Sequence, residues 1–302
     1  MIEDIFTIIS NTLISMVPLT LAAVGEIITE KSGVVNIGLE GILILSAFTS
    51  SVVTFYTGNP YLGLLVGIIV GILSGALHGF LSVYLNGDQI IAGVGFNSFA
   101  YGISLLSLVA LWKSHGSSPP VNKISMIIIG PLTFSPLTIV AIAIGIVSWW
   151  WLYKTPGGLK LRACGEDPRA AEAMGVNVHR TRFYATVFGG ALTGLAGSYL
   201  VVGWLGQFTK FISAGRGFIA LANVAFSNWN PLMAIIGGAL FGFFDGLSIY
   251  IPIKLQEMTG RIITAESNLF RTIPYLATLI IVSIIMKKVK MPRALGKPYI
   301  KE

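Results

Sequence analysis

The chain has 302 residues, 54% of them hydrophobic and only 11% charged, with a mean hydropathy of +0.80. Soluble domains carry about 25% charged residues, so this composition excludes a soluble globular protein and predicts an integral membrane protein. The net charge of +7 is concentrated in two short regions described below, which suits a membrane surface and needs no nucleic-acid partner, and the single cysteine, Cys164, excludes a disulfide framework or a cysteine metal cluster.

In chain order, hydrophobic runs long enough to cross a hydrocarbon layer fall at about 5–27, 34–56, 60–85, 89–112, 132–153, 183–206, 214–229, 231–250 and 271–289. The expected fold is all-α and polytopic, with about nine spans (eight to ten). The start, MIEDIF, is acidic where a cleavable signal would be basic, so the first run is read as a membrane helix. SNWNP (Ser227 to Pro231) reads either as a turn between two spans or as a break inside the membrane. No soluble domain fits between the runs, so 1–302 is one transmembrane domain with a long loop at 154–182 and a tail at 287–302.

The stretch from Gly25 to Gly41, GEIITEKSGVVNIGLEG, places four charges among apolar residues. Glu26 and Glu30 are four apart and would repel on one helix face, so the first helix is expected to end between them, with Glu30 and Lys31 neutralising one another at the interface. Glu40 follows Asn36 by four residues on a helix that must still cross, so both should face protein or a watery cavity. An intramembrane carboxylate is a functional candidate; the structural alternative is a hydrogen-bonded brace near Gly33 and Gly38. His78, Gln89, Asn97, Asn223 and Asp245 also fall at membrane depth, His78 and Asp245 reading as interhelical hydrogen bonds.

Glycine recurs every fourth residue in GLLVGIIVGILSGALHG (Gly63 to Gly79) and again at Gly238, Gly242 and Gly246. Such a stripe lets a neighbouring helix approach closely. Each run follows an Asn-Pro pair, Asn59-Pro60 and Asn230-Pro231, and the two runs point in opposite directions across the membrane. That pattern predicts two halves related by inverted topology.

The loop after the fifth run holds Lys154, Lys160, Arg162, Arg169, Arg180 and Arg182, and the tail holds Lys287, Lys288, Lys290, Arg293, Lys297 and Lys301. An even number of crossings separates the two, so the positive-inside rule makes both cytoplasmic and leaves the amino terminus outside. Within the loop, Asp167 can cap a short helix, Pro168 suits its first position and Gly175 a left-handed stop. Ala170, Ala171 and Met174 then share one face, flat enough to enter a groove.

TEKSGVVNIGLEG, LRACGEDPRAAEAMGV, FGGALTGLAGSYL, GRGFIALANVAFSNWNP, IPYLATLIIVSI and RALGKPYIKE resemble, in that order, the permease subunits of ABC importers for nucleosides and simple sugars. The wider group includes ribose and branched-chain amino acid permeases, with a type II importer fold. The resemblance covers nearly the whole chain and is greatest for the shorter of two paired permeases. It implies that the short loop helix is a coupling helix seated in an ATP-binding subunit. Its signature, Glu-Ala-Ala, three residues and Gly, here has Arg169 in place of Glu, followed by Ala170, Ala171 and Gly175, with Glu166, Asp167 and Met174 as further contacts.

The resemblance also implies a second homologous permease, ABC ATPase subunits carrying ATP and magnesium, an extracellular lipoprotein-type binding protein, surrounding membrane lipid and a small-molecule cargo. This chain itself has no phosphate loop, no HExxH zinc pair and no GxSxG elbow, and its three histidines, His78, His115 and His179, are far apart in sequence. It is therefore expected to hold no cofactor and to be no enzyme. A neutral, hydroxyl-rich cargo would be met by amides, which both donate and accept, and by aromatic faces. The expected pathway residues are Asn36, Glu40, Gln89, Phe96, Asn97, Asn223 and Phe226, with Asn97 and Asn223 foremost and Phe99, Tyr101, Phe218 and Trp229 nearby. Alternatives are an ion-coupled transporter using Glu40, Asp245 or Glu30, and a scaffold without a pathway.

Overall fold

In a computed structural model, residues 2–259, 269–270, 272–285 and 290–300 are described. Helix α1 is Ile2–Lys31, with Glu3 and Asp4 in its first turn and Lys31 in its last, charges that complement the helix dipole. It is followed by α2 (Leu39–Thr57) and by α3 (Pro60–Gly79), which runs on as a π-turn over Phe80–Tyr84. Helix α4 (Gln89–Trp112) precedes a hairpin of β1 (Ile127–Ile129) and β2 (Leu132–Phe134). Then come α5 (Pro136–Lys154), α6 (Pro156–Glu166), α7 (Pro168–Ala173), and α8 (Val178–Tyr199) with a π-turn over Leu200–Leu205. Helices α9 (Arg216–Phe226), α10 (Pro231–Thr259) and α11 (Ile273–Ile285) complete the chain.

One local device starts five of these helices: a short polar residue followed by proline, at Asn59-Pro60, Ser135-Pro136, Thr155-Pro156, Asp167-Pro168 and Asn230-Pro231. In each, the polar oxygen accepts a hydrogen bond from a backbone amide in the first turn, while proline occupies a position whose missing N–H is no loss.

Seven helices among the described residues are long and apolar enough to cross a membrane. The expected span at 214–229 is instead the 11-residue α9, about 17 Å long and too short to cross alone. The run at 271–289 contributes 13 described residues as α11, and the positions of Lys287, Lys288 and Lys301 in the expected tail lie outside the described residues. The fifth span starts at Pro136 because residues 132–134 pair with Ile127–Ile129. Helix α1 does not end between Glu26 and Glu30 but continues through both to Lys31, since each carboxylate finds a neutral donor from elsewhere in the chain. Glu30 accepts from Trp229 Nε1 at 2.5 Å, which replaces the expected pairing with Lys31.

Helix α8 and the Ser15–Glu30 stretch of α1 are enclosed, and α4 and α5 turn large apolar side chains outward, as lipid-facing helices do. Helix α3 lies antiparallel on α8: Gly67 meets Ser198, Gly71 meets Gly190 and Gly194, and Gly75 meets Thr186. Helix α10 lies antiparallel on α1 in the same manner, Gly238 against Thr20, Gly242 against Met16 and Gly246 against Asn11. Helices α1 and α8 are themselves antiparallel, with Gly25 on Gly189 and Tyr199 Oη donating to Ile14 O at 3.0 Å. Exchanging α1 with α8, α2 with α9 and α3 with α10 therefore maps these contacts onto one another with direction reversed, the arrangement expected from the two glycine stripes.

At the α3–α8 seam a Cβ on Gly71 would stand 2.3 Å from Gly190 O and 2.6 Å from Gly194 Cα, backbone atoms that cannot yield. Gly71→Leu is expected to cost about 1–3 kcal/mol or more by forcing the helices apart. Gly95→Leu, where a side chain meets nothing within 4 Å, is the control. Thermal unfolding in detergent should drop for the first and stay unchanged for the second.

Candidate functional site

Between α1 and α2 the chain folds back along α1 through residues 32–38, irregular and largely buried. Irregular backbone inside a membrane protein must find its partners within the protein. Glu26 Oε1 accepts from Asn36 N at 2.7 Å, Gln89 Oε1 from Val35 N at 2.7 Å, and Asn36 Oδ1 from Gly38 N at 2.9 Å. His78 Nε2 donates to Val35 O at 2.9 Å. Asn97 bridges, its Nδ2 donating to Ile37 O at 2.9 Å and its Oδ1 accepting from Gly41 N at 2.7 Å. Most polar residues that the sequence places at membrane depth on α1 to α4 thus hold this segment.

Just past it, the amino ends of α2 and α9 meet. A Cβ on Gly217 would lie 2.5 Å from Glu40 N, so only glycine permits the approach. Two positive helix ends converge there, and the Glu40 carboxylate sits between them. Its Oε1 accepts from Ser213 Oγ at 2.5 Å and Gly215 N at 2.8 Å, and its Oε2 accepts from Gly217 N at 2.8 Å. Glu40 is therefore a brace that joins the two halves of the molecule.

Beside it lies an interhelical contact of Asp245, as the sequence suggested, with a partner that sequence reasoning missed. Arg216, the first residue of α9, grips Asp245 of α10 through Nη2–Oδ2 at 2.8 Å and Nε–Oδ2 at 3.2 Å. It also donates to Ile212 O at 3.2 Å and lies over the Trp204 ring at 4.7 Å. The available signal was an arginine flanked by glycines at membrane depth with one acid, Asp245, 29 residues later on a glycine-striped helix.

Glu40 and Asn97 share a cleft of about 480 Å³ with Tyr101, Lys210, Phe211, Ser213 and Tyr275. Tyr101 and Phe211 stack with ring centroids 6.4 Å apart, and Tyr275 Oη donates to Ala214 O. The other expected pathway residues do not line this cleft. Asn36 lies on the buried segment, Gln89 at the start of α4 bonds to that segment, and Phe96 packs beside Phe99 at 6.3 Å. Asn223 is 0% exposed and donates to Ala234 O at 2.9 Å, while Phe226 meets Phe241 edge-on at 5.8 Å. The cleft residues that went unread, Lys210, Phe211 and Ser213, lie in the irregular segment before α9, and Tyr275 lies on α11.

At the basic end of the bundle, α6, α7 and the tail form a platform. Asp167 Oδ1 accepts from Ala170 N at 3.0 Å, Pro168 opens α7, and Gly175 adopts φ 82°, as the sequence predicts. The expected shared face is corrected: Ala171, 4% exposed, turns inward onto Cys164 and Val178 and seats α7 on α6. Arg169, Ala170, Ala173 and Met174 are exposed, Met174 at 85%. Burial pushes the Cys164 thiol pKa up, so it stays a neutral packing group. Glu166, Asp167 and Arg169 border a groove of about 610 Å³ whose far wall carries Arg293, Lys297 and Tyr299 of the tail.

Arg182 ties this platform to the membrane helices. It is counted as a surface charge by sequence yet is 2% exposed. Its guanidinium donates to Ser32 O at 3.0 Å, Lys297 O at 2.9 Å and Cys164 O at 3.2 Å, one carbonyl each from the segment after α1, the tail and α6. Gly296 N donating to Gly33 O at 3.1 Å and Ala294 N to Gly165 O at 2.9 Å close the same junction.

Comparison with known proteins matches residues 8–283 to the family described as branched-chain amino acid transport system, permease component. The guanosine ABC transporter permease protein NupQ of Bacillus subtilis is 33% identical over 321 aligned positions, covering 99% of this chain and 98% of the relative. The nucleoside ABC transporter permease protein NupC of Lactococcus lactis is 31% identical, covering 97% of this chain and 96% of the relative. The putative glucose ABC transporter permease protein TsgC13 of Haloferax volcanii is 30% identical, covering 88% and 87%. No solved structure matches. By its family match along most of its length and by these near full-length similarities, the chain is a member of the branched-chain amino acid transport system permease family.

Proposed function

We propose that this chain is the permease subunit of an ABC importer and forms half of the pathway for a nucleoside or a related simple sugar. Its partners are then a second homologous permease, ATPase subunits that bind ATP and magnesium, and an extracellular receptor. In this reading the basic end is cytoplasmic and the amino terminus outside, in keeping with the positive-inside rule. The observation that carries it is the junction at Arg182: the exposed face of α7 is one short helix away from carbonyls held together with the segment that leads into Glu40 and the cleft. A push on Ala170, Ala173 and Met174 by a closing motor would move α6, the 32–38 segment and the amino end of α2 as one body. Because α2 and α9 meet at Glu40, that motion would be delivered between the two halves.

The cleft suits such a cargo. Its volume lies in the range of about 300–1,000 Å³ usual for small-molecule sites. The stacked Tyr101 and Phe211 rings offer a face for a base or sugar; the Ser213 and Tyr275 oxygens, whose hydrogens are donated within the chain, can still accept, and the Asn97 amide keeps a second N–H and a second lone pair. The ion-coupled alternative is disfavoured because Glu40, Asp245 and Glu30 are each engaged in a brace. The test is uptake of radiolabelled nucleosides and pentoses by proteoliposomes holding the reconstituted complex. Uptake that follows ATP and ignores ion gradients is expected; uptake that follows a proton or sodium gradient without ATP would overturn the proposal.

A further inference from the structure

A second cavity, of about 560 Å³, opens between α5, α6 and α8, away from the cleft and from the α7 face. Its walls include Trp150, Trp151, Tyr184 and Phe188, and among the described residues its single charged wall residue is Lys160. Trp150 is 55% exposed and Tyr184 67%, although such side chains favour burial. The depth of the cavity follows from α5, a membrane-crossing helix that ends at Lys154, so Trp150 and Trp151 lie in its last turns. Aromatic rings beside a cation at the end of a spanning helix are the composition of the bilayer interface.

We propose that this cavity binds one anionic phospholipid, with an acyl chain along Trp150, Trp151 and Phe188 and the headgroup phosphate on Lys160. Charge selects the occupant: among the described residues the walls hold a cation and no acid, so a headgroup of net negative charge gains over a zwitterionic one, which carries its own cation beside the phosphate. Gly157, the second residue of the 11-residue α6, is also in the wall, which brings the electropositive amino end of that helix to the headgroup. The bound lipid would clamp α6, which supports α7, against α5 and α8.

Tryptophan quenching tests this in nanodiscs holding the full chain, with brominated phosphatidylglycerol or brominated phosphatidylcholine as the probe. The Trp150 and Trp151 contribution is isolated as the part lost in a Trp150→Phe, Trp151→Phe variant. Phosphatidylglycerol is expected to win by about fivefold, the preference one cation at the membrane surface provides, and Lys160→Gln should bring the ratio close to one while Lys160→Arg keeps it. Equal quenching by both lipids in the native chain would overturn the proposal and mark the site as ordinary lipid contact. Absence of quenching at Trp150 and Trp151 would also overturn it, showing that protein covers the cavity.

Discussion

Replacing Arg182 by methionine is expected to destabilise the chain by about 3–5 kcal/mol, among the largest effects of any single substitution. The methionine fills most of the volume but leaves the carbonyls of Ser32, Cys164 and Lys297 facing one another in a dry site without a donor. Each such loss costs about 1–3 kcal/mol. Arg182→Lys should recover little, because one ammonium cannot span three carbonyls fanned around a planar guanidinium. The seat also depends on Gly33, whose φ is 103° and where a Cβ would stand 2.5 Å from Arg182 Nη2. Thermal unfolding in detergent gives the magnitude. Limited trypsin digestion locates it, since faster cleavage between Lys154 and Arg180, with the α3–α8 seam still protected, is the pattern expected of a loosened platform.

The second large effect is expected at Arg216 and Asp245. Removing one partner of a buried ion pair strands the other charge and costs about 3–5 kcal/mol, so Arg216→Met and Asp245→Leu should each be severe. The double variant should be milder than either alone, because no uncompensated charge remains. Recovery should be partial, since Arg216 also satisfies Ile212 O and stacks on Trp204. A double-mutant cycle read by thermal unfolding measures the coupling directly. The pair fixes the start of α9, where the Gly215 and Gly217 amides meet Glu40, so the single variants should also loosen the cleft wall at Ser213.

Features set by local chemistry were legible in the sequence. The long helices follow from hydropathy, the α7 start from Asp167-Pro168 and its stop from Gly175, whereas the same polar-proline signal at Ser135-Pro136, which starts α5, went unread. The seams at Gly71 and Gly242 follow from a four-residue period. Features set by distant partners were not. Helix α9 ends after 11 residues because Asn228 and Trp229 take left-handed backbone, at φ 51° and 56°, and Trp229 turns to Glu30, a contact across 199 positions. The same contact, with Asn36 on Glu26, lets α1 carry two carboxylates that local repulsion alone would separate. Asn36, Gln89 and Asn97 were read as polar residues at membrane depth along the pathway, but their common task, holding the 32–38 segment, required knowing that the segment folds back. For α7, residue spacing gives the faces, and which one is covered depends on where α6 lies beneath it.

The central claim is that the exposed face of α7 receives force and passes it through the Arg182 junction to the cleft. The most direct measurement is ATP-driven uptake by the reconstituted complex carrying Ala170→Glu with Met174→Glu, with insertion and thermal unfolding of the chain followed in parallel. Both side chains face solvent in the isolated chain, so folding should be unaffected, while uptake falls by about tenfold or more, the ratio given by about 1.4 kcal/mol of lost contact. Undiminished uptake in that variant would contradict the account.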